Sequence, residues 1–467
     1  MEMQEFREYE DKRLSDFVRQ RTVPWQGVAL RPTLQAAGGL DAACVPFHYL
    51  GGNRIRTDRW IGTFSLCGQR YQIHPRVGQE RFWAMLMEAE GLPVAGNIKA
   101  DGGISTGEQH NKHILALLWT SALEHGRRLH GITKGYVFRD EPDATALRGR
   151  LDLYRQLTVN EFGRQHRIAC VYDDLTCNTP VNRAILFTIK KLQKEAIFPF
   201  KSGIGNSPRR ERLIDWQERL TSLGVEANDK IMPSSRVRWT RTNDGFHRCY
   251  ELAERLVHHR GAETATHGLD EAVLFDTAEV WEVFLWERLQ RVVGYMDGLR
   301  ICSPRLQNRS FDYLMKYEGI IRGGLLPDFT LEHKSSGNGT WETLAILDAK
   351  CRALEPINGR WLPHNEEVLQ MALYSCNAGQ ERKSVPCALL YPRVEKTPEA
   401  SGINRAVGDE LGIAGKADLN ITGHPTISWW VIDLPEPLPH RWWVNEVDRQ
   451  LKNVIEKVLE LTVTDKN

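Results

Sequence analysis

The chain has 467 residues, too many for a single hydrophobic core, which predicts two or three domains. Its 41% hydrophobic and 26% charged residues, strand-sized apolar runs and charged N-terminal residues exclude a membrane span and a signal peptide, so we expect a cytoplasmic protein. A net charge of +1 excludes a global basic field, so any contact with nucleic acid would be local or shared with a partner.

The N-terminal part of the chain predicts a mixture of helix and strand. Apolar residues recur at helical spacing over residues 1–22, and Pro24 would end this helix. Residues 61–66 and 71–74 alternate on either side of a short turn, which is typical of a β-hairpin. These elements indicate an α+β region over residues 1–160.

The elements that follow are predicted from the same kinds of pattern. Helices are expected over residues 81–89, 109–129, 178–194, 208–223 and 248–258, and strands over residues 136–139, 147–157 and 168–174. Asn178 or Thr179 would cap the helix that has Pro180 at its first position. The basic segment from Arg236 to Arg241 fits either a phosphate contact or a solvated surface. We expect residues 161–265 to form a helical middle region.

A different pattern begins near residue 277. It predicts a helix from residue 277, strands over 325–331 and 343–350, a helix over 365–376, strands over 387–391 and 427–432, and a last helix over 443–461. This succession of helix, strands, helix and strand is typical of an α/β domain. We place that domain at residues 266–467.

Several common chemical motifs are missing from the sequence. The nine cysteines include no Cys-x-x-Cys pair, which favours reduced, mostly buried thiols over a zinc or redox site. The glycine-rich stretch over residues 101–107 lacks the Gly-Lys-Ser/Thr of a P-loop, and no such motif occurs elsewhere. The chain is therefore not expected to hydrolyse nucleotides on its own.

Two carboxylates and a lysine stand out in the α/β region. Asp348 and Lys350 end an apolar strand, and residues two apart on a strand point to the same face. Asp328, on a neighbouring predicted strand, could join them. Such a group can bind a hard divalent cation beside a water nucleophile, as a nuclease requires.

Neighbouring helices add further polar residues. Glu282 lies on the helix before these strands, Gln370 lies on the helix after them, and Tyr374 follows Gln370 by one turn on the same face. Each residue also has a plain structural interpretation, as a strand terminus, a turn or a helix surface. Their occurrence together and in this order favours a site.

This arrangement resembles the PD-(D/E)-x-K nuclease superfamily, with Pro327-Asp328 and Asp348-Ala349-Lys350, and Gln370-x-x-x-Tyr374 is similar to the helix motif of its RecB-like branch. The resemblance implies that Asp328 and Asp348 ligate Mg²⁺, with Mn²⁺ as a substitute and Glu282 as a further ligand. It also implies that Lys350 orients or deprotonates the attacking water and that Gln370 positions the metal site or the phosphate.

The resemblance extends beyond the nuclease core to McrC, the nuclease subunit of McrBC modification-dependent restriction systems. Its most specific pieces are Leu147-Arg-Gly-Arg-Leu-Asp, Ile346-Leu-Asp-Ala-Lys and Gln370-Met-Ala-Leu-Tyr, preceded by the hairpin that ends in Ile73-His-Pro-Arg. It implies a PD-(D/E)-x-K restriction-endonuclease-like α/β core, α+β overall, behind an N-terminal region that docks on a partner.

The partner that the resemblance implies is a McrB-like AAA+ GTPase hexamer, which recognises and translocates modified or foreign DNA and is stimulated by the subunit. The expected function is that of a Mg²⁺-dependent endonuclease in a restriction and anti-phage defence complex, with Arg352 and Tyr374 as candidate DNA contacts. Two alternatives stay open at this point: a nuclease of another motor-driven DNA system, and a non-catalytic adaptor that activates an AAA+ motor.

Overall fold

A computed structural model of the chain describes the following residues: 4–7, 11–13, 27–30, 42–44, 47–51, 54–66, 69–90, 107–161, 163, 166–197, 199–200, 208–227, 231, 234–258, 270–304, 306–307, 316–317, 320–321, 326–334, 339–357, 360–378, 385–394, 413–418, 426–435 and 440–464. Among these residues, no helix combines the length and the apolar character that crossing a membrane requires.

The described helices are α1 (Gln79–Ala89), α2 (Gly107–His130), α3 (Leu153–Glu161), α4 (Pro180–Lys194), α5 (Pro208–Ser222), α6 (His247–His258), α7 (Thr277–Val293), α8 (Asn365–Ala378) and α9 (His440–Thr464). The first strands are β1 (Gln4–Arg7), β2 (Asp11–Arg13), β3 (Gly27–Leu30), β4 (Ala42–Cys44), β5 (Phe47–Gly51), β6 (Arg54–Thr57), β7 (Trp60–Leu66), β8 (Gln69–His74), β9 (Gly135–Ala144), β10 (Arg150–Leu151) and β11 (Ile168–Thr176). The later strands are β12 (Asp270–Asp276), β13 (Leu299–Cys302), β14 (Lys316–Tyr317), β15 (Ile320–Ile321), β16 (Phe329–Lys334), β17 (Trp341–Ala349), β18 (Glu355–Ile357), β19 (Arg360–Leu362), β20 (Cys387–Pro392), β21 (Ile413–Asp418) and β22 (Thr426–Ile432).

The chain divides into two compact units rather than the three consecutive regions expected from sequence, 1–160, 161–265 and 266–467. The first unit joins residues Met1–Gly103 to Ala262–Asn467, and the second contains Ile104–Gly261. The cause is β12, which lies between β7 and β3 in a sheet built otherwise from the first 74 residues. A late segment of the chain therefore completes an N-terminal sheet.

That N-terminal sheet has the described strand order β1-β8-β7-β12-β3-β4. The predicted hairpin is confirmed as β7 and β8. Its apolar residues are buried, and Phe64 stacks on Tyr71 with their ring centroids 5.3 Å apart. The helix predicted over residues 1–22 is wrong where the structure describes it, because β1 and β2 are strands. Pairing of β1 along β8 overrides the local helical spacing.

A second sheet in the same unit has the described order β13-β16-β17-β20-β22-β21. β17 pairs antiparallel with β16 and parallel with β20, so it lies inside the sheet, and residues 345–348 are buried. Phe329 stacks on Trp286 of α7, while Ile346 packs with Met371 of α8. Because neighbouring residues of a strand point to opposite faces, α7 and α8 cover the two faces of this sheet.

Two sets of polar contacts fix the position of α7. Asp276 caps the helix, since its Oδ1 accepts hydrogen bonds from the backbone nitrogens of Ala278 at 3.0 Å and Glu279 at 3.4 Å. At the other end, Arg288 binds Asp448 of α9 through two nitrogens and Glu88 of α1 at 3.0 Å. Three helices of the first unit are thus held by one buried guanidinium.

The second unit contains α2, α4, α5 and α6 beside a three-stranded sheet of order β10-β11-β9. Thr179 is confirmed as the cap of α4, accepting a bond from the nitrogen of Asn182 at 3.3 Å. Of the strand predicted over residues 147–157, only Arg150–Leu151 is a strand, and α3 begins at Leu153. Asp152 starts this helix, because its Oδ1 accepts from the nitrogen of Arg155 at 3.2 Å.

Exposed apolar side chains gather at one end of the three-stranded sheet. Tyr136 and Phe138 lie two residues apart on β9, and Leu175 of β11 pairs directly with Tyr136. Their exposed fractions are 74%, 65% and 52%. Tyr154 of helix α3 is exposed as well. Such a concentration of exposed apolar side chains is typical of an interaction surface.

Candidate active site

The two predicted aspartates meet across adjacent strands. Phe329 pairs with Leu347 in the antiparallel register, so the next step of that register places Asp328 opposite Asp348. The Oδ2 of Asp328 accepts a hydrogen bond from the backbone nitrogen of Ala349 at 2.8 Å. Asp348 is 1% exposed and shares its strand face with Ile346, on the α8 side of the sheet.

Lys350 continues the same strand face at the end of β17. Its backbone nitrogen donates to the carbonyl of Leu390, which keeps the chain extended past the last residue of β17. Its Nζ lies 2.5 Å from Oδ2 of Asp348 and donates to Oε1 of Gln370 at 3.0 Å. The predicted Asp348, Lys350 and Gln370 are therefore joined by an ion pair and a hydrogen bond.

The orientation of Gln370 is set by Tyr374. Nε2 of Gln370 donates to the Tyr374 hydroxyl at 2.7 Å, and that hydroxyl donates to the carbonyl of Leu326 at 2.9 Å. The amide oxygen of Gln370 is thereby turned towards Lys350. Tyr374 is 2% exposed and its hydroxyl is engaged inside the protein. Its predicted contact with DNA stays a prediction.

Burial dominates the electrostatics of the site. It raises the pKa of Asp328 well above its ordinary value, and the charges of Asp348 and Glu282 act in the same direction. Burial also raises the pKa of Asp348, against the opposing effect of the Lys350 ammonium. For Lys350 itself, burial disfavours the cation, but the charge and hydrogen bond of Asp348 outweigh it, so its pKa is raised.

The donor set fits a hard divalent cation. The charges of Asp348 and Glu282 act on Asp328, with Lys350 as its cationic neighbour, and a cation would relieve this excess of negative charge. Within the described ranges, no three His, Cys, Asp or Glu side chains gather as a ready metal cage, so Glu282 is not assembled with the two aspartates into one ligand set. Mg²⁺ commonly uses one or two carboxylates and keeps its waters, so the aspartate pair is sufficient.

Comparison with known proteins places the chain in a family. A family model described as "McrBC 5-methylcytosine restriction system component" matches residues 55–392, which is most of the chain. The chain belongs to the McrBC family. This confirms the resemblance that the sequence indicated. No curated protein matches the sequence.

Two solved structures are similar to this McrBC-family chain. The first is a refined half-complex from a tetradecameric assembly of Thermococcus gammatolerans McrB AAA+ hexamers with bound McrC. It has a TM-score of 0.51 and 14% identity, covering 97% of this chain and 100% of that chain. The second is a cryo-EM structure of the Thermococcus gammatolerans McrBC complex, with a TM-score of 0.30 and 17% identity over 62% of this chain and 88% of that chain. At these identities the first similarity establishes a shared fold.

The structure adds one acidic residue that sequence reasoning missed. Glu367 of α8 is 4% exposed, and its Oε2 accepts a hydrogen bond from the Tyr391 hydroxyl at 2.6 Å. Its spacing could have indicated this, because Glu367, Gln370 and Tyr374 are three and four residues apart and lie on one face of α8. The adjacent Glu366, which is solvent-exposed, conceals that signal in the sequence.

Arg352 lies at the rim of the site. Its side chain is 54% exposed, and its nearest acidic contact is Oε2 of Glu366 at 3.9 Å. An exposed pair of this kind contributes little to stability, so the guanidinium is available to a ligand. Its predicted contact with DNA stays a prediction.

Proposed function

We propose that this McrBC-family chain is the nuclease subunit of a restriction complex, with a PD-(D/E)-x-K core that hydrolyses DNA phosphodiesters with the help of Mg²⁺. The observation that carries the proposal is the bonded group of Asp348, Lys350 and Gln370, with Asp328 opposite Asp348. A role limited to binding or activation does not require the buried Asp348 and the half-buried Asp328, both with raised pKa values, beside a lysine.

The residues of the site divide the chemistry between them. Asp328 and Asp348 would hold Mg²⁺, which when bound supplies charge neutralisation at the phosphate and a more acidic water. Lys350 carries three N–H donors, and its contacts with Asp348 and Gln370 leave one for the attacking water. Because the pKa of Lys350 is raised mainly through Asp348 against the effect of burial, it stays protonated. We therefore assign it to orienting water and stabilising phosphoryl charge rather than to removing a proton.

The proposed partner is a McrB-like AAA+ GTPase, because the fold is shared with a structure of McrB AAA+ hexamers with bound McrC. The hairpin of β7 and β8 is a poor docking surface, since Ile61, Phe64 and Tyr71 are buried in its own unit. We place docking instead on the exposed face formed by Tyr136, Phe138 and Leu175. A recognition surface for a motor has to be presented to solvent in the unbound subunit.

Substitution of Asp348 by Asn tests the catalytic assignment. We expect loss of Mg²⁺-dependent DNA cleavage in the presence of the motor, because the amide binds the cation poorly, while stimulation of GTP hydrolysis by the motor is retained. Glu342→Gln is the matched control, since Glu342 is an exposed carboxylate on the same strand. Cleavage by the Asp348→Asn protein at the rate of this control would refute the site.

A further inference from the structure

The loop before α6 presents three exposed arginines to solvent. Arg236, Arg238 and Arg241 are all exposed, and among the residues that the structure describes none of the three forms an ion pair or a side-chain hydrogen bond. We call residues 234–243 the basic loop, since they contain no Asp or Glu. The basic loop therefore carries three positive charges that no described side chain neutralises.

Three other exposed arginines of the second unit do have acidic partners. Arg139 pairs with Asp174, Arg155 with Asp140, and Arg219 with Asp215. Asp244, which follows the basic loop directly, lies 2.9 Å from Nε2 of His130. The basic loop differs from these surfaces because its charges face solvent without a carboxylate partner in the described structure, which suits a surface that binds an anion.

Hydrogen bonds within the basic loop fix its shape. Nε1 of Trp239 donates to the carbonyl of Ser234 at 3.1 Å, and Val237 between them is buried. Farther along, Oδ1 of Asn243 accepts a hydrogen bond from the backbone nitrogen of Thr240 at 2.7 Å. The backbone that carries the arginines is thus ordered before any ligand binds, which lowers the entropy cost of binding.

The composition of the basic loop favours phosphate over other partners. Its remaining exposed residues all carry hydroxyl groups: Ser235, Thr240 and Thr242. Arginine and hydroxyl side chains are typical contacts of DNA phosphates. The only aromatic residue of the loop, Trp239, is half-buried, and its ring lies against His247 and Tyr250 of α6 with centroids 4.5 Å and 5.8 Å apart. No exposed apolar side chain of the loop is left to anchor a protein or to stack on an unpaired base.

We propose that the basic loop binds the sugar-phosphate backbone of duplex DNA. The net charge of the chain is only +1, so a contact with DNA requires a local concentration of positive charge of this kind. Contacts with phosphates hold the duplex without reading its sequence. The inference goes beyond the proposed function, because the basic loop belongs to the second unit and takes no part in cleavage, whereas the candidate active site belongs to the first.

Two variants with the same change in net charge test the proposal. The test variant removes the charges of the basic loop through Arg236→Gln, Arg238→Gln and Arg241→Gln. Exposed substitutions of this kind have little effect on stability. The matched control changes the three paired arginines of the same unit, through Arg139→Gln, Arg155→Gln and Arg219→Gln. An effect of total charge alone would appear equally in both variants.

The experiment measures binding of the full chain to a fluorescently labelled DNA duplex by anisotropy, in EDTA so that no cleavage contributes, over a range of salt concentrations. We expect the test variant to bind on the order of tenfold more weakly at low salt. The slope of log affinity against log salt concentration should fall by about one for each arginine removed. The control should keep the affinity and the slope of the unaltered chain.

Three outcomes overturn the inference. The first is a test variant with the affinity and salt slope of the unaltered chain, and the second is an unaltered chain that does not bind the duplex; either result leaves the basic loop a solvated surface. The third is a test variant that keeps its affinity for DNA and loses stimulation of the motor GTPase, since the loop would then contact the motor. If the test variant fails to fold, the three single substitutions replace it, and an unchanged salt slope in all three overturns the inference.

Cleavage by Asp348→Asn distinguishes failure of this inference from failure of the proposed function. If Asp348→Asn loses cleavage while the test variant keeps its affinity for DNA, the nuclease site stands and the role of the basic loop is refuted. If Asp348→Asn still cleaves while the test variant loses affinity, the basic loop stands and the catalytic assignment is refuted.

Discussion

The sheet that carries the candidate active site and the three-stranded sheet of the second unit use their apolar residues in opposite ways. In the first, α7 and α8 cover the two faces, and residues such as Ile346 and Leu389 are fully buried. In the second, Tyr136 and Phe138 are presented to solvent. Both sheets are rich in apolar residues, so composition alone does not tell them apart.

This difference in burial indicates a different use for each sheet. A sheet covered on both faces excludes water and holds charged residues at the ends of its strands in fixed positions. Catalysis by preorganised charge requires this. An uncovered apolar face carries a cost in solubility, which a partner that buries it would remove. The first sheet therefore fits chemistry, and the second fits docking on another protein.

The largest expected effect is on cleavage. Lys350→Met should lower the rate of DNA cleavage by roughly 100-fold to 1,000-fold, because the group that faces the developing charge is lost. Cleavage of labelled DNA under single-turnover conditions measures it. Lys334→Met, at the exposed end of the neighbouring strand, serves as control. If both variants cleave alike, the covered sheet holds no catalytic lysine at this position.

A second prediction concerns stability of the first unit alone. Arg288→Met should destabilise that unit by about 3–5 kcal/mol, because Glu88 and Asp448 lose their buried cation. Hydrogen exchange should show faster global opening in the first unit, with unchanged protection in the second. Arg291→Met is the control, since Arg291 lies about one helical turn after Arg288 and is exposed, so its loss should have little effect on stability. Equal loss of protection in both units would show that the ion pairs of Arg288 do not act on the first unit alone.

The pH dependence of the first unit provides a third test. Burial raises the pKa of Asp276 to about 6, despite the opposing charge of Arg59. Because the unfolded carboxyl titrates near 3.8, the folded state binds more protons between pH 4 and 6, and stability falls as pH rises through this window. The loss is roughly 3 kcal/mol for a shift of about two units.

Asp276→Asn should flatten that part of the stability curve. An Asn side chain caps a helix about as well as Asp, so the change removes the titration and keeps the cap. Urea unfolding at pH 4, 5, 6 and 7 measures the slope, with exposed Asp297→Asn as control. An unchanged slope would show that Asp276 ionises in the folded state as readily as in the unfolded state.

The smallest expected effect on folding lies in the uncovered sheet. The double substitution Tyr136→Thr and Phe138→Thr should change stability by no more than about 0.5 kcal/mol per residue, since both side chains are exposed and Thr favours strands. Stimulation of the motor GTPase should nevertheless be lost. Tyr295→Thr, an equally exposed aromatic of the first unit, should leave stimulation intact. Intact stimulation in the double variant would remove the docking role from this face.

The candidate site could be predicted from the sequence because the residues of each pair lie close together in the chain. Asp348 and Lys350 are two residues apart, and Gln370 and Tyr374 are four apart, so strand and helix periodicity suffice to bring each pair together. The structure then confirmed that Lys350 bonds to both Asp348 and Gln370. What local spacing could not supply was the orientation of Tyr374, which depends on a carbonyl 48 positions earlier at Leu326.

The division of the chain into two units could not be predicted from the sequence, because it depends on pairing between distant segments. The pairing of Phe275 with Ile61 spans more than two hundred positions, and no local pattern announces it. The prediction of a helix over residues 1–22 was wrong for the same reason, because β1 forms a strand by pairing with β8. Long-range pairing decides such segments, and a single sequence does not display it.

The place of β12 has a practical consequence for dissecting the protein. A fragment starting at residue 266 would contain the complete candidate site, yet it would leave β12 without β7 and β3, its partners on either side. Such a fragment would present two open strand edges and would lose the ion pair of Arg59 with Asp276 at the start of α7. Aggregation of such a fragment would therefore reflect the loss of its sheet partners, and truncations that keep the two units whole should begin or end near residues 104 and 261.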